Sequence, residues 1–253
     1  MPDVSSPEKL KEYCIRHEGK DGVGLLISGG STRSGRVPLE PFLDTIRWVK
    51  DHTDLIINLH TGMLNRKEAE DIAATGTDIA SVDLVGDKET LRRVYRLDSE
   101  IKEYDATLQN LVDGGANVAP HICAGLDYGI IKGEHKALEM ASTVNPETVV
   151  LISLIPTANT PMADIKAPCV DSIVGLVEEA VRVCKGSEIS LGCMRSREYK
   201  TELEWAAINA GVSRIAMASR STEKRAIEAG YDVMHLDGCC ALPRKYDSRL
   251  LRV

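Results

Sequence analysis

The chain of 253 residues predicts an α/β fold, a TIM-type (β/α) barrel with seven βα units. Apolar runs alternate strictly with amphipathic helical segments, which indicates parallel strands joined by right-handed crossovers. Only 4% of the residues are aromatic, so branched and small aliphatic side chains must fill the core, as in parallel barrels. A GxGxxG fingerprint, typical of open dinucleotide-binding sheets, is absent from the sequence. The barrel is therefore favoured over an open sheet.

The first half of the chain predicts three strands, each preceded by a helix. Ser6 followed by Pro7 is a good helix start, and Gly19 is a good helix end. The predicted elements are a helix to about residue 17, strand 23–28, a helix from Pro38 through Val49, strand 55–60, a helix from Asn65 to about 75, strand 79–85, and helical pieces 88–95 and 101–114. Because a helix comes first, we expect the first strand of the barrel to be missing.

The second half predicts four further βα units. They are strand 117–124 with helix 132–143, strand 148–155 with helix 170–185, strand 188–192 with helix 198–210, and strand 214–218 with helix 221–229. Residues 231–236 are a candidate for one more short strand. We expect a single barrel domain over residues 1–236 and an irregular C-terminal tail over residues 237–253.

Composition excludes several classes of partner. The net charge is −7 and the 31 Lys and Arg residues form no long run, so nucleic acid is not expected as a partner. No apolar run reaches the roughly 18–20 residues that span a bilayer, and the first residues do not form a signal peptide, so no membrane association is expected. Seven cysteines without a CxxC pair argue against a disulfide framework. We expect a cytoplasmic protein.

Polar residues stand at the ends of six predicted strands. The carboxyl ends of parallel strands meet at one mouth of a barrel, so these side chains are candidates for a small-molecule site. Each also has an ordinary structural interpretation: a histidine can be a packed core residue and Asp87 a helix cap. The candidates are residues 28–32, Asn58, His60, Ser81, Asp83, Asp87, His121, Cys123, residues 157–160, Cys193 and Arg195.

The order of these strand-end motifs is similar to a known family. The motifs are Ser28-Gly-Gly-Ser31, Ser81-Val-Asp83, Ile122-Cys-Ala-Gly-Leu126, Ile155-Pro-Thr-Ala-Asn-Thr-Pro-Met162 and Leu191-Gly-Cys-Met-Arg195. Together they resemble radical S-adenosylmethionine (SAM) enzymes of the biotin synthase and lipoyl synthase type, especially archaeal homologues. The resemblance covers nearly the whole chain, beginning just after the family's first strand and cluster loop.

The resemblance implies roles for individual residues and two cofactors, SAM and a [4Fe–4S] cluster. Residues 28–31 would hold the amino group of SAM, and Ser81 and Asp83 would contact its ribose and the substrate. The remaining implied SAM-site residues are Cys123, Gly125, Pro156 and Thr157, and those implied to face the substrate or an auxiliary cluster are His60, His121, Cys193 and Arg195. The resemblance implies radical chemistry on a small molecule or acyl cofactor, with sulfur insertion as one form of it.

One family motif, the CxxxCxxC triad that holds the [4Fe–4S] cluster, is missing from the sequence. Such clusters are held by cysteine thiolates, so the implied catalysis lacks its ligands here. Cys193, Cys239 and Cys240 are candidate metal ligands, with inert thiols as the alternative.

Three functions stay open at this point. The first is a radical SAM enzyme whose cluster ligands come from outside this sequence. The second is a non-catalytic SAM-binding or partner subunit. The third is an unrelated barrel lyase or aldolase, although no lysine stands at a strand end to form a Schiff base. A barrel that lacks its first strand exposes an edge, so we expect a partner chain or an oligomer to cover it.

Overall fold

The computed structural model describes residues 4–251, and its seven strands form one sheet in chain order. Every neighbouring pair of strands is parallel. The strands are β1 (Gly24–Ile27), β2 (Ile56–His60), β3 (Ile79–Leu84), β4 (Val118–Ala124), β5 (Thr148–Ser153), β6 (Glu188–Leu191) and β7 (Arg214–Ile215). The sheet curls into a half-barrel with alternating helices, which confirms the predicted α/β barrel class.

The helices that connect the strands cover the convex side of the sheet. Asn65 begins the third helix with a capping box, in which its side chain and that of Glu68 each accept a backbone N–H. The helices are α1 (Pro7–Glu18), α2 (Leu43–His52), α3 (Arg66–Ala73), α4 (Lys88–Thr90), α5 (Lys102–Asp113), α6 (Glu134–Ser142), α7 (Val170–Val183), α8 (Lys200–Asn209), α9 (Arg220–Glu228) and α10 (Asp247–Leu250). No helix within residues 4–251 is long and apolar enough to cross a membrane.

Successive residues of a strand point to opposite faces of the sheet, and here the two faces bury different partners. On the outer face, side chains such as Ile57, Leu59 and Val82 are fully buried against the helices. On the inner face, Ile56 and Ile79 belong to a separate cluster. This inner cluster consists of Ile56, Ile79, Ala119, Val150, Ala241, Leu242 and Leu250.

Three members of the inner cluster come from the C-terminal tail, so the tail fills the lower half of the barrel interior. Polar contacts at the amino ends of the strands hold it there. Tyr246 Oη donates to Asp78 Oδ1 at 3.0 Å, and Arg214 Nη2 donates to Asp247 Oδ1 at 2.8 Å. The tail was predicted to be irregular; it contains a 3₁₀ turn, Arg244–Tyr246, followed by α10. The domain boundary at residue 236 stays a prediction.

The other differences from the predicted elements have local causes. The second helix begins at Leu43, after a 3₁₀ turn that contains Pro41, because proline offers no N–H to an α-helical turn. The last strand stops at Ile215, since Met217 lies in the left-handed region with φ 51°. The predicted strand over residues 231–236 is wrong: Leu236 forms only an isolated bridge to Leu251.

Candidate functional site

Three predicted residues meet at the carboxyl ends of β2, β3 and β4. Asp83 and His121 are paired in the sheet register, and the alternation of the strands turns His60 to the same inner face. His60 Nδ1 lies 3.5 Å from Asp83 Oδ2, and the rings of His60 and His121 are 5.1 Å apart between centroids. The structure therefore brings two imidazoles and one carboxylate together above the inner cluster.

Burial lowers the pKa of both histidines and the Asp83 carboxylate raises it, but the net result differs between the two rings. Burial lowers the pKa of His121 to about 4, and its Nδ1 contacts the carbonyl of Ala119 at 3.0 Å. Burial also opposes charge on His60, but the hydrogen bond and charge of Asp83 outweigh it and raise the pKa of that ring. Burial of Asp83 is in turn outweighed by His60 and His121, which lower its pKa. At neutral pH the mouth holds an anionic Asp83 beside a neutral His121.

Below Asp83 and the two histidines, three side chains are connected by hydrogen bonds. Ser81 is buried, and its Oγ donates to Asn58 Oδ1 at 2.8 Å. The amide nitrogen of Asn58 then donates to Cys239 Sγ at 3.6 Å. Ser81 was predicted to contact a ligand directly; the structure places it beneath Asp83 and gives it a protein partner. Asn58 thus connects β3 to the tail.

Three cysteines from two parts of the chain meet beside this chain of hydrogen bonds. Cys193 follows β6, whereas Cys239 and Cys240 lie in the tail, and all three are free thiols. The neighbouring Cys193 and Cys239 and burial raise the pKa of Cys240. The interaction with Cys240 in turn lowers the pKa of Cys193 and of Cys239, each to about 6. These three residues are called the thiol cluster below.

Arg195, predicted to face a substrate or an auxiliary cluster, is buried away from solvent and bound to protein. Its Nη2 contacts Glu204 Oε1 and donates to the carbonyl of Ala216 at 2.7 Å. Glu204 is fully buried and also accepts from Ser219 N at 2.9 Å and from Thr222 Oγ1 at 2.7 Å. The anion beside Arg195 is therefore the carboxylate of Glu204.

The predicted SAM-site residues outside the strands lie on loops at the mouth. Ser28, Gly29, Gly30 and Ser31 are all exposed after β1, and a Cβ built on Gly30 would meet no atom within 4 Å. Thr157 is exposed and Pro156 half-buried in the loop after β5. Gly125 has a left-handed φ of 76°, and a Cβ there would lie 2.2 Å from Pro168 Cγ. Both facts favour glycine at this position. The half-buried thiol of Cys123 has its pKa raised by burial to about 12.

The residues that the structure describes do not fit an iron–sulfur cluster. Within residues 4–251 no group of three His, Cys, Asp or Glu side chains is arranged to hold a metal ion. Fe–S clusters take three or four protein ligands, usually thiolates. The thiol cluster, which contains the three predicted metal candidates, lacks that arrangement.

Comparisons with known proteins identify the fold alone. No protein-family model and no curated protein matches the chain. Among solved structures, it is similar to the FeFe-hydrogenase maturase HydG from Carboxydothermus hydrogenoformans, with TM-score 0.62 and 17% identity over 85% of this chain and 51% of that one. It is similar to methylornithine synthase PylB, with TM-score 0.63 and 15% identity over 89% of this chain and 72% of that one.

A third similar structure is HMG-CoA lyase from Brucella melitensis, with TM-score 0.54 and 11% identity over 87% of this chain and 83% of that one. The chain spans about half the length of the HydG structures, 49% and 51%. Proteins with different names therefore share this curled sheet, and function has to be argued from the site.

Two features of the site were missed in the sequence. Glu204 lies inside α8 two residues after the exposed Glu202, and nothing in the sequence distinguishes the two acids. The insertion of the tail was missed because it depends on contacts across the whole chain. The apolar Ala241-Leu242 pair next to two cysteines was the available signal, since such a run is unusual in an exposed tail.

Proposed function

We propose that this chain is a radical SAM-type barrel protein that binds S-adenosylmethionine at the carboxyl ends of its strands and a small molecule in the mouth. The observation that carries the proposal is Asp83, an anionic side chain about half exposed at that mouth. The strand-end motifs support it, as does the similarity to HydG and PylB, which are radical SAM enzymes. The biotin synthase and lipoyl synthase subtype and an archaeal origin stay predictions.

The chemistry of SAM suits these loops. A carboxylate such as Asp83 can accept hydrogen bonds from two neighbouring ribose hydroxyls, and charged acceptors make the stronger hydrogen bonds. Ser28 and Ser31 offer hydroxyls, and the open space at Gly30 lets a ligand approach the backbone. The loop at Pro156 and Thr157 and the turn at Gly125 would border the adenosine.

His60 and His121 would face the small molecule. A neutral, buried His121 is able to accept or donate a hydrogen bond at the nitrogen that does not contact the Ala119 carbonyl. His60, held by Asp83, carries a proton more readily. The pair would therefore offer one ligand two imidazoles, of which His60 is the more easily protonated.

The described residues do not supply a [4Fe–4S] site, so no reductive step is assigned to them. SAM binding without cluster ligands is the function that the geometry supports best. Radical chemistry would require ligands from outside this sequence, and a non-catalytic SAM-binding or partner subunit is the alternative form of the same proposal.

The test is titration calorimetry of the full chain with SAM. We expect binding, and we expect Asp83→Asn to weaken it by roughly 10–100-fold, the effect of losing a charged hydrogen-bond acceptor. Asp51→Asn, on the exposed surface of α2, is the matched control and should leave the affinity unchanged. Equal SAM affinity in both variants would contradict the proposal. Binding of a phosphate or aldehyde instead of SAM would favour the barrel lyase hypothesis.

Iron and sulfide content after anaerobic reconstitution separates the two forms of the proposal. Because the cluster ligands are lacking, we expect the chain alone to retain no stoichiometric iron. Four irons per chain and a visible spectrum that changes on addition of SAM would instead favour the enzyme.

We also propose that another protein chain covers the edge of the sheet at β1. Leu26, in register with Asn58 on the inner face, is 45% exposed, and β1 pairs only with β2 within the described residues. Exposed strand edges invite pairing. A monodisperse monomer in size-exclusion chromatography with light scattering would count against this.

A further inference from the structure

Two loops at the mouth carry arginines that have no role in the proposed SAM site. Arg33 lies in the loop after β1, and Arg96 lies in the segment between α4 and α5, which follows β3. Both side chains are exposed, and within residues 4–251 neither forms an ion pair or a side-chain hydrogen bond. This positive charge contrasts with the net charge of −7 for the chain. Guanidinium groups without a protein counter-ion are suited to an anionic ligand.

The loop after β1 is held against the end of β2. Gly35 N donates to the carbonyl of Thr32 at 3.0 Å, which closes the turn that contains Arg33. Met63 N donates to the carbonyl of Gly35 at 3.0 Å. A Cβ on Gly62 would lie 2.2 Å from the Gly35 oxygen, so the two backbones approach as closely as glycine permits. Arg33 therefore projects from a fixed turn.

Arg96 is held by a turn of a different kind. Residues 91–95 form one π-helical turn, and Arg96 ends it with a φ of 56°. Leu97 follows and is buried, and its Cδ1 lies 2.9 Å from the position that a Cβ on Gly35 would occupy. The turn that carries Arg96 therefore packs against the turn that carries Arg33.

The left-handed backbone of Arg96 indicates a role outside the fold. A positive φ is strained for residues other than glycine, and residues held in this way are concentrated at binding and active sites. Among the residues that the structure describes, the Arg96 side chain has no polar partner that would offset the strain.

The carboxylates near these two turns interact with other cations. Glu68 pairs with Arg36, and Glu100 pairs with Lys88. The charge of Asp98 also helps to raise the pKa of Lys88. In the described part of the chain, the two exposed arginines are therefore left to an outside anion.

A hydroxyl group beside Arg33 is also able to donate to a ligand. Thr32 Oγ1 and Ser34 Oγ lie 2.9 Å apart, so one of these hydroxyls donates to the other. The backbone N–H and Nε of Arg36 donate to the same two oxygens, at 3.2 and 3.1 Å. Both oxygens thus accept hydrogen bonds, and one O–H is left without an acceptor among the described residues.

We propose that Arg33 and Arg96 form an anion subsite at the mouth, which takes a phosphate or carboxylate group of the small molecule. The inference rests on the proposed small-molecule site and names the class of its ligand. Arginine presents N–H donors in one plane, which match the oxygens of a phosphate or carboxylate. The carboxylate of SAM offers the same chemistry, because residues 28–31 of the same loop are proposed to hold its amino group.

The first experiment is titration calorimetry of the full chain with inorganic pyrophosphate. We expect binding that weakens as the ionic strength rises. Arg33→Gln and Arg96→Gln should each weaken it by roughly 10-fold, the effect of losing one charged hydrogen-bond donor. Arg182→Gln is the matched control, because this arginine is exposed at the C-terminal end of α7, away from the mouth. It should leave the affinity unchanged.

Arg96→Gly separates binding from folding. Glycine adopts a left-handed backbone without strain, so urea denaturation should show no loss of stability in this variant. Its affinity for pyrophosphate should still fall as in Arg96→Gln. A loss of stability together with unchanged pyrophosphate affinity would assign Arg96 to the fold and overturn the proposal.

Titration with SAM and with decarboxylated SAM identifies the source of the anion. We expect the Arg33→Gln and Arg96→Gln variants to bind both compounds as the parent chain does. Weaker binding of SAM, but not of decarboxylated SAM, would assign the subsite to the carboxylate of SAM and overturn its assignment to the small molecule.

Two further outcomes separate this proposal from that of SAM binding. Equal pyrophosphate affinity in the parent chain and both glutamine variants would overturn the anion subsite, whatever the affinity for SAM. A parent chain that binds pyrophosphate through the two arginines but does not bind SAM would support the subsite and contradict the SAM proposal alone.

Discussion

The apolar side chains on the two faces of the sheet are buried by different parts of the chain. On β2, Ile57 and Leu59 face outward and are covered by helices that each follow a strand. Ile56 faces inward and is covered by the tail, and above it the inward residues Asn58 and His60 are polar. The outer face is closed by the repeated βα pattern, and the inner face by one segment at the end of the chain. We therefore expect the outer face to contribute most of the stability, and the polar upper part of the inner face to bind ligands.

The largest expected effect tests the one buried ion pair near the end of β6. In Glu204→Gln the buried Arg195 guanidinium loses its counter-charge, which typically costs 3–5 kcal/mol, so about 4 kcal/mol of unfolding free energy should be lost. Urea denaturation measures it. Asp71→Asn breaks the exposed Lys67–Asp71 pair and should cost about 0.5 kcal/mol or less. Similar losses in the two variants would contradict a structural role for Arg195.

Adjacent isoleucines test the comparison of faces directly. Ile57→Ala opens a cavity between sheet and helices and should cost about 3–4 kcal/mol. Ile56→Ala should cost about 2 kcal/mol, because the tail can shift to fill part of the space. Urea denaturation gives the costs, and alkylation of the thiol cluster should become faster in Ile56→Ala only. Equal costs and equal alkylation rates would mean that the tail is as rigid as the helices.

The next effect depends on pH and separates the two histidines. The folded pKa of His121 is about 4, below the roughly 6.5 of an unfolded histidine, so the unfolded chain binds the proton first as pH falls. Stability should therefore be lost between about pH 6.5 and 4, by at most about 3 kcal/mol for this group. Denaturation across this range should give a flatter profile for His121→Gln.

His60 provides the opposite sign in the same experiment. Its folded pKa is raised, so the stability it contributes is fully present below the unfolded pKa and is lost as pH rises through the raised value. His60→Gln should therefore steepen the acid loss of stability. Profiles that shift in the same direction for both variants would contradict the assigned roles of Asp83 and burial.

The outer face could be predicted from the sequence, and the inner face only in part. Apolar runs such as residues 55–60 and the Asn65 cap depend on local pattern, and the strands and helices they predict are present. Strand-end logic led to the expectation that His60, Asp83 and His121 lie at one mouth, and the structure places the three side by side there. Ser81 pairs with Asn58, and Arg195 pairs with Glu204. Each partner belongs to another element, so no local pattern specifies it. The tail insertion depends on the whole barrel for the same reason.

The smallest predicted effect concerns the layer between the apolar lower half and the polar upper half of the inner face. Ser81→Ala removes the hydrogen bond to Asn58 and should cost about 1 kcal/mol in urea denaturation, the usual net value of one buried hydrogen bond. Asn58 would then be free to turn, so its contact with Cys239 should loosen and alkylation of that thiol should become faster. Ser142→Ala, at an exposed hydroxyl on α6, should change neither quantity. If the stability changes while alkylation does not, Ser81 supports the sheet alone and the tail is held by its apolar residues.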